Sequence, residues 1–421
     1  MKITVGSTTY TDIESVDFAP ETDVTGSKVP INQFSADINT TDSIAVAQDA
    51  MLYDDSGKLW AKYWITDTQR RTKNVIRIIA QSAILLLDRR ALGAVMYSSA
   101  PIATVISDIF TGTSVSYSLD SSFTDTISGY CPEQTARERL QWVCFTIGAY
   151  LKTFFTDKVE ILPVSDTTTV IPANKTYYRP KVSYGDYVTA VKITAYTYTT
   201  GTPTATDKWV QVGGNYYIQT TQDFTIGNSD APSTAEENVV EVKDVSIINA
   251  NNISAILSRL STYYFNRNAF DADVIDEGEY IPGKRYTVQI DKSSLIGGFM
   301  QSAQFSFGHS AKASIKVRQT KIVDGVLLMI KYLYGETQLG SQSYLFPTGY
   351  AYSVENPYID RLADGHRYVY YPVNDSATGT MGSSLTEDDE QYSVALDFAE
   401  NILSIYNVDQ ISQSDEVITI K

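Results

Sequence analysis

Positive charge, cysteine and histidine are what this sequence is short of. Against 49 acidic side chains stand 33 lysines and arginines, a formal net charge of −16. Proteins that wrap a phosphate backbone gain affinity by releasing counterions to basic side chains. A nucleic-acid clamp is therefore excluded, whereas a surface that lets DNA pass without holding it is compatible with this charge. The only cysteines are Cys131 and Cys144, and the only histidines His309 and His366. Zinc takes four such ligands grouped together, and these are scattered. If both cysteines lie on one helix they are roughly 20 Å apart along its axis, beyond the ~7 Å between Cα atoms that a disulfide spans, so two free thiols are expected. No apolar run approaches the ~20 residues that cross a bilayer, and the opening MKITVGSTTYTDIESVDF has no apolar signal core. Synthesis in a cytoplasm, without export by that route, is expected. The motifs GxSxG, HExxH, GxGxxG and the phosphate-binding P-loop are missing. No enzyme is expected, and no catalytic, cofactor-binding or metal-binding residue is assigned.

What the chain has in abundance is tyrosine, 30 residues, alongside 15 phenylalanines. With many Thr, Val and Ile this composition favours half-buried strands. Residues 1–95 read as a first strand-rich unit: KITVGSTTYT and VPINQFSADINT alternate, and MLYDDSGKLWAKYWI is a strand pair around turn residues 55–57, with two more strands after it. Residues 96–174 change period. PIATVISDIF spaces Ile102, Val105, Ile106 and Ile109 as a helix begun by Pro101. In GYCPEQTARERLQWVCFTIGAYLKT, Pro132 and Glu133 suit a first turn, and Ala136, Leu140, Val143, Cys144, Ile147 and Leu151 share a face. Two strands around Asp157-Lys158 follow, making an α+β insert. Residues 175–320 return to alternation, interrupted by a helix over 251–266 with Ile253, Ile256, Leu257, Leu260, Tyr263 and Tyr264 on one side. Residues 321–421 are rich in Tyr, Gly and Pro, with a helix expected near 386–405.

Few polar clusters invite a chemical reading. Glu387, Asp388, Asp389 and Glu390 could bind calcium or act as an acid/base pair, but acids at a helix start already complement its dipole. His309 in FGHSAK and His366 in DGHRYVYYP lack nearby co-ligands and read as turn or surface residues. The pairs Arg70-Arg71 and Arg89-Arg90 flank the third and fourth strands of the first unit, where they serve either an acidic neighbour or solvent.

The ordered set LLLDRR, PIATVISDIF, TARERLQWVCFTIGAYLKTFFTDKVEILP and ILSRLSTYYFNRNAFDADVIDEGEYIPGKRYTV resembles bacteriophage tail-hub proteins of the baseplate. The same family fold is shared more distantly by the hub regions of type VI secretion spikes and R-type contractile particles. The resemblance covers residues 1–320 and implies a mainly β fold with an α+β insert: two small β-barrel tube domains per chain, assembled as a homotrimer into a ring of six barrels. Such a hub adapts a six-fold tail tube to a three-fold tip and forms part of the channel for the genome. The helix begun at Pro132 would then belong to the insert and pack outside the ring. Implied partners are the tail tube or distal tail protein, the tape-measure protein and a tip, spike or receptor-binding protein, with DNA passing unbound. The place implied is the virion tail, assembled in the host bacterial cytoplasm. The tyrosines alone leave a second reading, a carbohydrate-binding tail protein for the host surface.

Overall fold

A computed structural model describes residues 1–317 except 166, 205–206, 276–279, 290–293 and 307–311, and beyond these the backbone of further strands. The chain forms two compact units: residues 1–93, 97–195 and 222–330, and residues 94–96, 196–221 and 331–421.

The first unit is organised by a 13-stranded sheet. Its N-terminal set is β1 (Lys2–Val5), β2 (Thr8–Tyr10), β3 (Ile13–Phe18), β4 (Gln33–Asn39), β5 (Asp49–Tyr53), β6 (Leu59–Arg70) and β7 (Val75–Ser82). The second set is β8 (Thr168–Ile171), β9 (Lys181–Tyr184), β10 (Asn268–Ile275), β11 (Arg285–Gln289), β12 (Leu295–Ser306) and β13 (Lys312–Val317). Side chains alternate as the sequence pattern demands: along β7, Ile76, Ile78, Ala80 and Ser82 are buried and their neighbours half-buried.

The two sets repeat one topology. The first runs β3-β4-β7-β6-β5-β1-β2 and the second β9-β10-β13-β12, with β11 beside β12 and β8 beside β11. In chain order the central four strands of each set therefore lie first, fourth, third, second. Only Thr11 and Asp12 separate β2 from β3, at opposite ends of the first run. In the second set β8 leads through a short 3-10 turn, Ala173–Lys175, to β9 at the other end. β8 lies parallel to β11. In the first set β1 intervenes, antiparallel to both β2 and β5, so β2 and β5 also share a direction.

The repeat extends to detail. A bulge interrupts β6 against β7 between Ile65 and Asp67, and β12 against β13 between Met300 and Ser302. The preceding chain leaves β6 at Ala47, φ 63°, and leaves β12 at Gly283, φ 96°. Each of these residues donates its N–H to the strand residue before the bulge, Ala47 to Ile65 at 2.9 Å and Gly283 to Met300 at 2.8 Å. Phe34-Ser-Ala36-Asp37-Ile38 on β4 corresponds to Phe270-Asp-Ala272-Asp273-Val274 on β10, with both phenylalanines buried. Both sets feed one apolar core, from Ile3 and Phe34 to Phe270 and Val317.

Several expectations need correcting. Ala83–Arg89 is a 3-10 helix where a further strand was expected; Ile84 and Leu87, three apart, are its buried residues, the period of such a helix. α1 spans Ile102–Phe110 with Pro101 before it. α2 spans Ala136–Ile147, starting later than Pro132, because Thr135 and Glu138 form a capping box that satisfies the free N–H groups there. Cys131 therefore ends the strand Thr126–Cys131 and is not on the helix with Cys144. Gly148, φ 74°, terminates α2, so Leu151 belongs to the strand Ala149–Lys152, and Ile147 is only half-buried. The remaining face is buried, and Arg139, Trp142 and Phe145 are buried as well, so α2 is enclosed on nearly every side. α3 spans Ile253–Phe265.

In the second unit Lys208–Val212 pairs antiparallel with the first residues of Asn215–Gly227 through Gly213-Gly214. Where a helix was expected near 386–405, Gln391–Asp397 and Leu403–Asn407 pair as antiparallel strands. Tyr392, Val394 and Leu396 alternate at the strand period there.

Candidate functional site

Among the described residues, the feature on which a functional reading can be built is the seam where the two sets meet. β3 and the residues after it lie antiparallel to the second half of β12. Asp17 pairs with Ser306 and Phe18 with Phe305. Ala303 donates its N–H to the Pro20 carbonyl at 3.1 Å, Glu21 bridges Ser302, and Thr22 donates to the Gln301 carbonyl at 2.9 Å. The register is unbroken over these residues. The Gln304 side-chain amide donates to the Asp17 carboxylate. β11 occupies the same edge of β12 only from Leu295 to Phe299, and the departure of the chain at Gly283 leaves the rest of that edge open for β3.

Beneath the seam lies a cluster of rings. Phe305 stacks on Phe18 with centroids 6.0 Å apart and meets Trp60 edge-on at 4.7 Å and Phe155 at 5.7 Å. Phe155 sits in the left-handed region at φ 54°, costly for an aromatic residue. It is held there by its N–H to the Trp60 carbonyl at 2.7 Å and by the adjacent Phe154–Ala61 bridge. The α+β insert thus supplies part of the core under the seam.

The strand leaving the seam ends in a buried polar loop. The Thr22 hydroxyl donates to the Leu151 carbonyl at 2.7 Å. The Asp23 carboxylate accepts from the Thr25 N–H at 2.9 Å, the Thr25 hydroxyl at 2.7 Å and the Ser27 hydroxyl at 2.5 Å, which satisfies a carboxylate that is 8% exposed. Gly26, φ 73°, lies so close to α2 that a Cβ would sit 2.8 Å from the Phe145 nitrogen. Arg259 of α3 donates to the Phe145 carbonyl. Burial lowers its guanidinium to about 10, and the Asp23 charge opposes that shift. Loop, α2 and α3 therefore lock together, so the seam is a built feature of the unit.

The residues singled out by sequence distribute as follows. Arg70 donates to the carbonyls of Thr40 and Asp42, and Arg90 to that of Ile109 at 3.1 Å, so both serve their own chain. Arg71 lies near Asp37, whose carboxyl is held down chiefly by hydrogen bonds from Arg77. Arg89 closes the 3-10 helix. Cys131 and Cys144 are free and buried, and burial pushes both thiols up to about 12. His309, His366, Glu387, Asp388, Asp389 and Glu390 lie outside the described residues. Among the described residues no group of three His, Cys, Asp or Glu is placed to hold a metal, and no helix is long and apolar enough to cross a membrane. Sequence reasoning missed the seam itself. Its available signal was the pair FSADI and FDADV, two short strands separated by more than half of the chain.

No family model and no curated protein matches the sequence. Solved structures do match in fold. The tail protein from Neisseria meningitidis MC58 superposes with a TM-score of 0.54 at 10% identity, covering 76% of this chain and 95% of that one. The 43 kDa tail protein of prophage MuSo2 from Shewanella oneidensis gives 0.54 at 11% identity, covering 76% and 97%. Prophage tail protein gp18 from Listeria monocytogenes EGD-e gives 0.53 at 10% identity, covering 76% and 96%. The chain shares the fold of these tail proteins.

Proposed function

We propose that this protein is a structural component of a phage or phage-derived tail, the hub at its tip, and that three copies form a ring around the channel through which the genome passes. The observation that carries the reading is the duplicated strand set joined edge to edge within one chain. A chain that already contains two equivalent units doubles the symmetry of any ring it builds, so three copies present six equivalent units to a six-fold tube and three to a three-fold tip. The fold shared with tail proteins of three bacterial sources supports the same reading.

In this reading each strand set closes into a small barrel through its bent strand, β2 into β3 and β8 into β9. The first tube domain is residues 1–95 and the second is 175–320 together with β8, the rest of 96–174 is the insert outside the ring, and 321–421 is a region for contact with the spike or receptor-binding protein. The tail tube or distal tail protein meets the other face, and the tape-measure protein occupies the channel before ejection. The charge of −16 suits a lumen of acidic and small polar side chains that repels phosphate and lets DNA move. A basic lumen would hold DNA through several phosphates at once and stall it. Light scattering of the purified chain across a concentration series tests the assembly: a species of three-chain mass is expected, and a monomer or dimer at every concentration contradicts it.

A further inference from the structure

The internal seam shows how two strand sets of this kind meet edge to edge. Superposing the two sets by strand order, bulge and the Phe34/Phe270 motif places β9 where β3 stands and β6 where β12 stands. In the first set the edge of β6 beyond β5 is the counterpart of the edge of β12 that β3 covers. Among the described residues, β6 from Thr66 to Arg70 is paired only with β7, and β9 only with β10. Unpaired strand edges add another chain's strand readily. Both edges also carry exposed apolar groups: Tyr177, Tyr178 and Tyr184 at and just before β9 are 41, 73 and 62% exposed, and Val46 beside β6 is 50% exposed. Ala47 keeps its positive φ without being glycine, and thereby directs the preceding chain off β6 as Gly283 does off β12.

We propose that β9 of one copy pairs antiparallel with the Thr66–Arg70 edge of β6 in a second copy of this chain, in the register of the internal seam. Phe18 faces Phe34 across β4 as Val182 faces Phe270 across β10. Ile65 precedes its bulge as Met300 does. Carried over, the pairs Phe18–Phe305, Ala19–Gln304, Pro20–Ala303 and Glu21–Ser302 become Val182–Arg70, Ser183–Gln69, Tyr184–Thr68 and Gly185–Asp67. The contact is heterologous, each copy offering one donor edge and one acceptor edge, so it closes only as a ring. This inference rests on the hub reading for the number of copies, while the edges and their register come from the repeat.

Disulfide trapping tests it. In the seam Ala303 donates its N–H to Pro20 and Thr22 donates to Gln301, so hydrogen-bonded pairs alternate along it and Ala19–Gln304, next to Pro20–Ala303, is a non-hydrogen-bonded pair. Cα atoms at such a pair lie about 4.5 Å apart, within disulfide reach. The counterparts Ser183 and Gln69 are both exposed, and the native thiols are buried. The full chain carrying Ser183→Cys and Gln69→Cys, oxidised mildly and run without reductant, is expected to give covalent dimers and trimers and no larger species. Ser183→Cys with Thr68→Cys, whose side chain points to the opposite face, is expected to give none. A double variant that cross-links no more than either single variant overturns the proposal, and does so alone if scattering still finds trimers. Cross-linked ladders beyond three chains uphold the edge pairing and overturn the three-copy ring instead.

Discussion

Replacing Phe305 by alanine removes the ring that ties the two strand sets together. Its side chain is 1% exposed and belongs to β12, while its ring partners Phe18, Trp60 and Phe155 come from β3, β6 and the insert. Truncating a packed phenylalanine costs about 3–5 kcal/mol, and aromatic pairs contribute about 0.5–1.5 kcal/mol beyond the buried area. Three ring partners put the expected loss near the upper end, about 5 kcal/mol. Urea unfolding of wild type and Phe305→Ala, followed by tryptophan fluorescence, reads the loss. A cycle with Phe18→Ala isolates the stacked pair, for which a coupling of about 1 kcal/mol is expected. Because the cluster is shared, amide protection is expected to fall in β3 and β6 as well as in β12 and β13. A change below about 1 kcal/mol, or a loss of protection confined to the second set, refutes the view that the seam is one core.

Leu140→Ala removes a fully buried side chain from α2, with an expected cost of about 2–5 kcal/mol by denaturant unfolding; an unchanged midpoint contradicts the burial. Asp37 accepts from Arg77 Nε at 2.8 Å and Nη2 at 2.5 Å, which lowers its carboxyl from 3.8. A group lowered on folding contributes stability above its ordinary value and loses it as pH falls. Asp37→Asn is therefore expected to be destabilising near neutrality and progressively less so in acid, and a pH-independent difference contradicts the ion pair. The two thiols, raised to about 12 by burial, are expected to resist Ellman's reagent at pH 8 in the native protein and to titrate as two per chain in denaturant.

Much of the first unit was legible from alternation, because half-buried strands must alternate and their turns need residues such as Gly57, φ 84°. α3 was legible from its apolar spacing. The start of α2 was legible too, in Thr135-x-x-Glu138, but Pro132 and Glu133 offered a competing start, and only the capping geometry decides between them. The duplication was not legible from periodicity. Strand pairing is made by backbone groups, so the two sets keep their order, their bulge and a left-handed turn while sharing few side chains. Gly283 and Ala47 do the same task with different residues, which hides the correspondence from sequence comparison. The seam is legible only after folding, since Asp17–Thr22 and Gln301–Ser306 come from distant parts of the chain. Strands such as Gln391–Asp397 were misread because a short apolar run satisfies helical and strand periods alike.

The most direct test of the central claim is an electron cryomicroscopy reconstruction of the assembled tail tip at side-chain resolution. The account predicts three copies of this chain around the channel, six strand sets in a closed ring, β9 of each copy against β6 of the next, and a lumen lined by acidic and small polar side chains. A hub position filled by another chain, or a lumen lined by lysine and arginine, contradicts it.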